Sequence, residues 1–164
     1  MAECAVRLKR IMAALDLSGF SEATFLHALA LAKALEGELE GELVLLNVIN
    51  SRGLEALDQL AAEGYGFSRE KYIETITSER KARFQSEYLS RAGEVPTELR
   101  FAVGLPYDEI IKAARVGEID LIVMGTKGRS NLAGTLFGTT AEKVFRRAPC
   151  TVVSVRGPEH CRLT

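Results

Sequence analysis

The sequence contains little cysteine, almost no net charge and no long apolar run, and each shortage excludes a class of protein. The three cysteines, Cys4, Cys150 and Cys161, are odd in number and scattered, so they do not suggest a disulfide framework and favour a reducing compartment. The formal net charge of −1 provides no broad basic field for nucleic acid or an anionic membrane. No apolar run approaches the roughly 20 residues that span a bilayer. We therefore expect a cytoplasmic protein that binds neither nucleic acid nor membrane.

Histidine is equally scarce, which argues against a metal centre built from side chains. His160 and Cys161 form the one adjacent pair of these residue types, and His27 is far away in the sequence. A structural zinc site needs about four such ligands. The sequence therefore predicts no protein side chain as a metal ligand.

Short apolar segments alternate with amphipathic segments along the 164 residues. We predict strands over residues 10–16, 43–49, 97–103, 119–124 and 150–155. Helices are predicted after Ser21 as a candidate N-cap, over 68–92, from Pro106 to Val116 and over 141–147. Residues 50–67 contain three glycines and are interpreted as an irregular linker with room for one short helix.

This alternation predicts an α/β fold. We expect a single doubly wound, five-stranded parallel sheet of Rossmann-like order 3-2-1-4-5, with helices on both faces. Residues 1–164 are expected to form one domain, with its core at about 8–156.

A glycine pattern lies between the fourth predicted strand and the last predicted helix. It reads Gly125-Thr126-Lys127-Gly128, then nine residues, then Gly138-Thr139. Glycine lets the backbone approach an anion closely, and the first amides of a helix offer unpaired donors at the positive end of its dipole. The pattern therefore predicts a nucleotide-phosphate site. Plain turn chemistry is the alternative, and the spacing fits neither a P-loop nor a dinucleotide fingerprint.

The end of the first predicted strand should lie beside this loop. Open α/β sheets bind ligands beyond the carboxyl ends of their strands, where the strand order reverses. If strands one and four are neighbours, Asp16 and Gly125 converge there. Asp16 would then accept hydrogen bonds from a ribose or base; its alternative role is that of a turn residue before Ser18 and Ser21.

The glycine pattern resembles the signature of the universal stress protein family, Gly-x2-Gly-x9-Gly-Ser/Thr. The resemblance extends from about residue 8 to 156 and includes Asp16 at the end of the first strand, the second-strand run 45–50, Gly104-x-Pro106 and the segment 120–125. It points to the ATP-binding type. Carried over position by position, it implies these nucleotide-binding residues: Ala14, Leu15, Asp16 and Val48 around adenosine; Met124, Gly125, Lys127 and Gly128 beneath ribose and phosphates; Arg129 beside the phosphates; and Gly138, Thr139 and Thr140 around the phosphates.

Several positions depart from the pattern of the best ATP binders in the family. Ala141 stands where some members carry another hydroxyl, and Ala14 and Leu15 replace a Pro and a small polar residue. Lys127 and Arg129 compensate in part, because cations beside the phosphates favour a triphosphate; ordinary surface charge is their alternative role.

The resemblance implies an adenine-nucleotide-binding regulatory protein of the stress response, with ATP or AMP as ligand and Mg²⁺ or Mn²⁺ as candidate metals. It also implies a homodimer that pairs along the last strand, Thr151–Val155, because an apolar edge strand left unpaired is an aggregation hazard. A nucleotide-independent interaction protein is one alternative, with 68–92 and the preceding linker as the surface for unidentified protein partners. A slow ATP hydrolase is another alternative. Hydrolysis would be slow because no histidine or carboxylate pair is placed for acid/base catalysis.

Overall fold

A computed structural model describes residues 8–35, 41–62, 68–128 and 137–157. The strands are β1 (Arg10–Ala14), β2 (Glu42–Asn50), β3 (Thr97–Gly104), β4 (Leu121–Gly125) and β5 (Thr151–Val155). The helices are α1 (Ser21–Ala34), α2 (Ser51–Ala62), α3 (Arg69–Glu87), α4 (Pro106–Val116) and α5 (Thr139–Arg147). All neighbouring strands pair in parallel, in the order β3-β2-β1-β4-β5. The predicted fold class and strand order are confirmed.

The central strands β2, β1 and β4 are buried on both faces, which explains why they are almost continuously apolar. In β1, the side chains of Ile11 and Ala13 join one core cluster, whereas Met12 joins the other. Helices α1 and α3 cover the first face, and α4 and α5 cover the second. Each face therefore has its own layer of helices, as a doubly wound sheet requires.

Aromatic side chains fix α3 to the sheet. The ring of Phe84 is fully buried and lies 5.2 Å from the ring of Tyr88 and 5.8 Å from that of Phe101, centroid to centroid. Tyr88 in turn packs 5.1 Å from Phe25 of α1. Burial is the main cause that raises the pKa of the Tyr88 phenol to about 12. The polar helix α3 is thus held mainly through the aromatic residues at its C-terminal end.

The structure corrects part of the interpretation of residues 50–67 as a linker with room for one short helix, because 51–62 form a continuous helix. Helix α2 begins directly after β2 and continues to Ala62, and 63–67 lie outside the described residues. The Asn50 side chain accepts a hydrogen bond from the Arg52 backbone N–H at 3.1 Å, which satisfies one free amide of the first turn. Burial of Leu54 offsets the cost of about 1 kcal/mol that Gly53 adds within a helix.

Other predicted boundaries shift at the ends of elements. β1 ends at Ala14 rather than at residue 16. The helix predicted over 68–92 ends at Glu87 and is followed by a short 3₁₀ turn. Ser21 is the first residue of α1 rather than its N-cap. In the ranges that the structure describes, each helix is too short or too polar to cross a membrane.

We expect Phe84→Ala to lower the free energy of unfolding by about 3–5 kcal/mol, because a buried ring is replaced by a cavity. The matched control is Phe145→Ala on α5, whose side chain is 62% exposed; it should change stability by less than about 1 kcal/mol. Urea unfolding of both variants measures the difference. Equal losses would contradict the assignment of Phe84 to the anchor of α3.

Candidate functional site

A cleft opens at the carboxyl ends of the neighbouring strands β1 and β4, because the helices that follow these strands pack on opposite faces of the sheet. α1 packs on the first face and α5 on the second, so the carboxyl ends of these strands open between them. A cavity of about 310 Å³ occupies this place, which is at the lower end of the range for small-molecule sites. Eleven of the twelve predicted site residues line it: Ala14, Leu15, Asp16, Val48, Met124, Gly125, Lys127, Gly128, Gly138, Thr139 and Thr140. Arg129 lies outside the described residues.

One end of the cavity is formed by the N-terminus of α5. Gly138 is the N-cap in an extended conformation, with φ −76° and ψ 158°, and no side chain caps the helix. Thr139, Thr140 and Ala141 form the first turn and line the cavity. Their backbone amides have no partner within the helix and lie at the positive end of its dipole, so this end of the cavity can receive an anion.

Backbone hydrogen bonds fix the position of this helix end. The Thr126 N–H donates to the carbonyl of Val155 in β5 at 2.8 Å, and the Gly138 N–H donates to the carbonyl of Thr126 at 2.8 Å. The segment after β4 is therefore tied both to the neighbouring strand and to the start of α5. A preorganised set of amides of this kind needs little rearrangement to bind an anion.

Asp16 forms the turn between β1 and α1. Its Oδ1 accepts hydrogen bonds from the Ser18 backbone N–H at 3.0 Å and from the Ser21 hydroxyl at 3.2 Å. Leu17, which lies between Asp16 and Ser18, has φ 63°, a left-handed conformation that costs a non-glycine residue about 1–2 kcal/mol. The turn role of Asp16 is thus present in the structure, and the same residue lines the cavity.

Gly128 is required by the close approach of the Asp16 carboxylate. A Cβ at Gly128 would lie 2.5 Å from Asp16 Oδ2, whereas a Cβ at Gly138 would meet its nearest neighbours at 3.6 Å, an ordinary contact. Two of the three signature glycines therefore differ: Gly128 admits the Asp16 carboxylate, whereas a Cβ at Gly138 would have room.

The other end of the cavity is mostly apolar. The side chains of Met124 and Ile110 are at least 95% buried and lie against the second core cluster. Leu46, Val48 and Asn50 alternate along β2, so they share one face of the strand and all line the cavity. The site therefore combines an apolar end with an anion-receiving end.

Sequence reasoning missed part of this lining. The missed residues are Phe20, Ser21, Thr24, Leu46, Asn50, Pro106, Ile110 and Ala141. The period of two along β2 was the signal that could have added Leu46 and Asn50 to Val48. Those on helices carry ordinary core or capping patterns, and such patterns do not show which side chains face a cavity.

The described lining contains little that could perform acid/base catalysis or bind a metal ion alone. Asp16 is the single acidic side chain in it. Among the described residues, no group of three or more His, Cys, Asp and Glu side chains is placed to hold a metal ion.

The sequence is similar to known proteins over most of its length. The family model for the universal stress protein family matches residues 7–156. Universal stress protein MJ0577 of Methanocaldococcus jannaschii is 28% identical, over 92% of this chain and 96% of its own length. Universal stress protein MJ0531 of the same organism is 30% identical, over 92% of this chain and 84% of its own length.

Solved structures share the fold. That of MJ0577 superposes with a TM-score of 0.73 at 25% identity, covering 90% of this chain and 95% of the other. Universal stress protein UspA from Lactobacillus plantarum superposes with a TM-score of 0.70 at 24% identity. The match covers 93% of this chain and 100% of the UspA chain. A universal stress protein in complex with cAMP superposes with a TM-score of 0.59 at 23% identity. The match covers 92% of this chain and 98% of the other.

We expect Gly128→Ala to lower the free energy of unfolding by about 1–2 kcal/mol, because Asp16 must move and loses hydrogen bonds to the turn. Gly138→Ala, where a Cβ has room, should change it by no more than about 0.5 kcal/mol. In an Asp16→Ala background the cost of Gly128→Ala should disappear, a coupling that a double-mutant cycle in thermal or urea unfolding measures. Additive effects would show that Gly128 and Asp16 do not interact.

Proposed function

The chain belongs to the universal stress protein family, and we propose that its cavity binds ATP or AMP, so that the protein acts as a nucleotide-dependent regulatory switch in the stress response. The observation that carries this proposal is the union, in one cavity, of an apolar end and the uncapped N-terminus of α5. A nucleotide has the same division, with a flat, largely apolar base at one end and phosphates at the other.

The apolar end suits a nucleoside. Met124, Val48 and Ile110 provide surfaces on which a base could pack, and Asp16 lines the same cavity with its Oδ2 close to Gly128. A carboxylate at that point can accept hydrogen bonds from ribose hydroxyls. The relative that was solved with cAMP shares this fold and binds an adenine nucleotide, which supports adenine as the base.

The α5 end suits phosphate. The amides of the first turn, the hydroxyls of Thr139 and Thr140 and the ammonium group of Lys127 all come from residues that line the cavity. Ala141 offers no hydroxyl and is instead buried in the second core cluster. The missing hydrogen bond would cost about 0.5–1.5 kcal/mol, which weakens a phosphate site without removing it.

Regulation is favoured over fast catalysis because the described lining holds one acidic group and no acid/base pair. Mg²⁺ or Mn²⁺ would bind mainly through the phosphates of the nucleotide, since the described side chains form no ligand cluster. A metal ion held in this way supplies charge neutralisation for the triphosphate.

We also propose that the protein is a homodimer that pairs along β5. β5 forms an edge of the sheet, and Val152 and Val153 contact opposite core clusters while remaining partly exposed. The Val155 carbonyl faces inward, because it accepts from Thr126. By alternation, the backbone groups of Val152 and Ser154 face outward, where a second copy of the strand could pair with them.

Isothermal titration with ATP, ADP and AMP, with and without Mg²⁺, tests nucleotide binding after bound nucleotide has been removed. We expect micromolar dissociation constants for the wild type. Gly128→Val and Gly138→Val should abolish binding because a branched side chain blocks the approach of the nucleotide to the backbone, and at Gly128 it also displaces the Asp16 carboxylate. Asp16→Ala should weaken the three nucleotides by the same factor. Gly53→Ala, at an exposed position on α2 where a Cβ meets no atom within 4 Å, is the control. Absence of binding by the wild type would overturn the proposal.

Ser154→Pro should convert the dimer into a monomer, because proline removes an outward N–H from the β5 edge and leaves the inward bonds to β4 in place. Ser154→Ala keeps the N–H and should remain dimeric. Light scattering after size exclusion at micromolar concentration measures both masses. A monomeric wild type, or a Ser154→Pro dimer, would contradict pairing along this edge.

A further inference from the structure

A polar side chain interrupts the apolar core of β2 directly behind the nucleoside end of the cavity. Asn47 is fully buried, and its neighbours Leu45, Leu46 and Ile49 are apolar and at most 3% exposed. A buried amide is costly unless it is hydrogen-bonded, and an aliphatic side chain would fill the same place without that cost. The bonds that Asn47 makes therefore indicate why the amide is there.

The first of these bonds holds the end of β1. Asn47 Nδ2 donates to the carbonyl of Leu15 at 2.6 Å, and the Leu15 N–H donates to the carbonyl of Leu46 at 2.9 Å. Both backbone groups of Leu15 are thus bound by β2 after the regular pairing of the strands has ended at Ala14. Leu15 lines the cavity and immediately precedes Asp16.

The second bond comes from α3. Arg80 Nη1 donates to Asn47 Oδ1 at 2.7 Å and also makes a long contact of 3.5 Å with the carbonyl of Val48. Val48 is another cavity-lining residue. A single guanidinium group therefore contacts the Asn47 amide and the backbone of β2 at the point where β1 leaves the sheet.

We propose that Asn47 and Arg80 are positioning residues for the nucleoside end of the cavity. Asn47 fixes the Leu15 carbonyl, and Arg80 fixes the orientation of the Asn47 amide and the neighbouring Val48 carbonyl. Together they set the spacing between the Leu15–Asp16 turn and β2, where the base would lie. This inference rests on the proposed nucleotide binding, and it makes the surface helix α3 part of the support of the site.

Under the proposed function the phosphates would lie elsewhere, at the N-terminus of α5, so the two ends of the cavity can be tested separately. Loss of the Arg80 bond should weaken adenosine, AMP and ATP by the same factor. The ratio of ATP to AMP affinity should stay as in the wild type. A general loss of stability would lower the melting temperature without changing the affinity of the folded protein for adenosine.

The experiment compares Arg80→Ala with Arg83→Ala by titration of adenosine, AMP and ATP. Arg83 lies on the same helix, is exposed and pairs with Glu87 at 2.9 Å, so its variant removes the same charge without touching the site. We expect Arg80→Ala to weaken all three ligands about tenfold and Arg83→Ala to leave them unchanged. Arg80→Lys, which keeps the charge and a donor, should recover part of the loss.

Asn47→Asp tests the hydrogen bond from the Asn47 amide to the Leu15 carbonyl. It keeps an oxygen for Arg80 but places a second oxygen opposite the Leu15 carbonyl, so affinity for adenosine should fall at least as far as in Arg80→Ala. Hydrogen exchange without nucleotide adds an independent readout: the amides of Leu15 to Ser18 should exchange faster in both variants and not in Arg83→Ala.

Three results would decide against the positioning role. Unchanged adenosine affinity in Arg80→Ala would overturn it while leaving nucleotide binding intact, and so would a loss confined to ATP. A wild type that binds none of the three ligands would overturn the proposed function and the positioning role with it.

Discussion

Burial of a parallel sheet on both faces is the constraint on which the rest of this structure depends. Because the backbone bonds of the strands are satisfied within the sheet, the two faces can be covered only by helices that alternate with the strands in sequence. β1 and β4 are neighbours, yet α1 covers one face and α5 the other. The chain therefore separates at the carboxyl ends of these two strands, and the cleft is a consequence of the topology rather than of any one side chain.

The elements that carry strong apolar patterns could be predicted from the sequence, and those that depend on local hydrogen bonds could not. The largely buried strands β2 and β4 are near-continuous apolar runs, which made both strands and the fold class predictable. The full length of α2 was not predicted, because Gly53 and later glycines suggested a linker with one short helix. The hydrogen bond from the Arg52 N–H to Asn50 and the burial of Leu54 outweigh those glycines. In the site, glycine spacing located the loop, but side chains such as Thr24 and Ile110 face the cavity only because of how their helices pack.

Asp16 shows why the two interpretations of a strand-end acid need not exclude each other. One oxygen accepts hydrogen bonds from Ser18 and Ser21 and closes the turn, and the other lies against Gly128. The turn bonds limit the rotation of the side chain, so the carboxylate is oriented before any ligand arrives. A ligand that contacts it then needs less ordering of the protein, which is the general advantage of a preorganised site.

The distribution of buried polar side chains separates the part of the core that supports the fold from the part that shapes the site. Among the described residues, the buried polar ones are Ser21, Thr24, Asn47 and Thr126. Two of them line the cavity, Asn47 binds the carbonyl of Leu15, and Thr126 follows β4 and joins β5 to Gly138 through its backbone. All four therefore lie at the carboxyl end of the sheet. Since a polar group costs free energy wherever it is buried, a core optimised for stability alone would have no reason to concentrate such groups at one end. Their position is better explained by the turns and strand ends that they hold, because those backbone segments form the walls of the cavity.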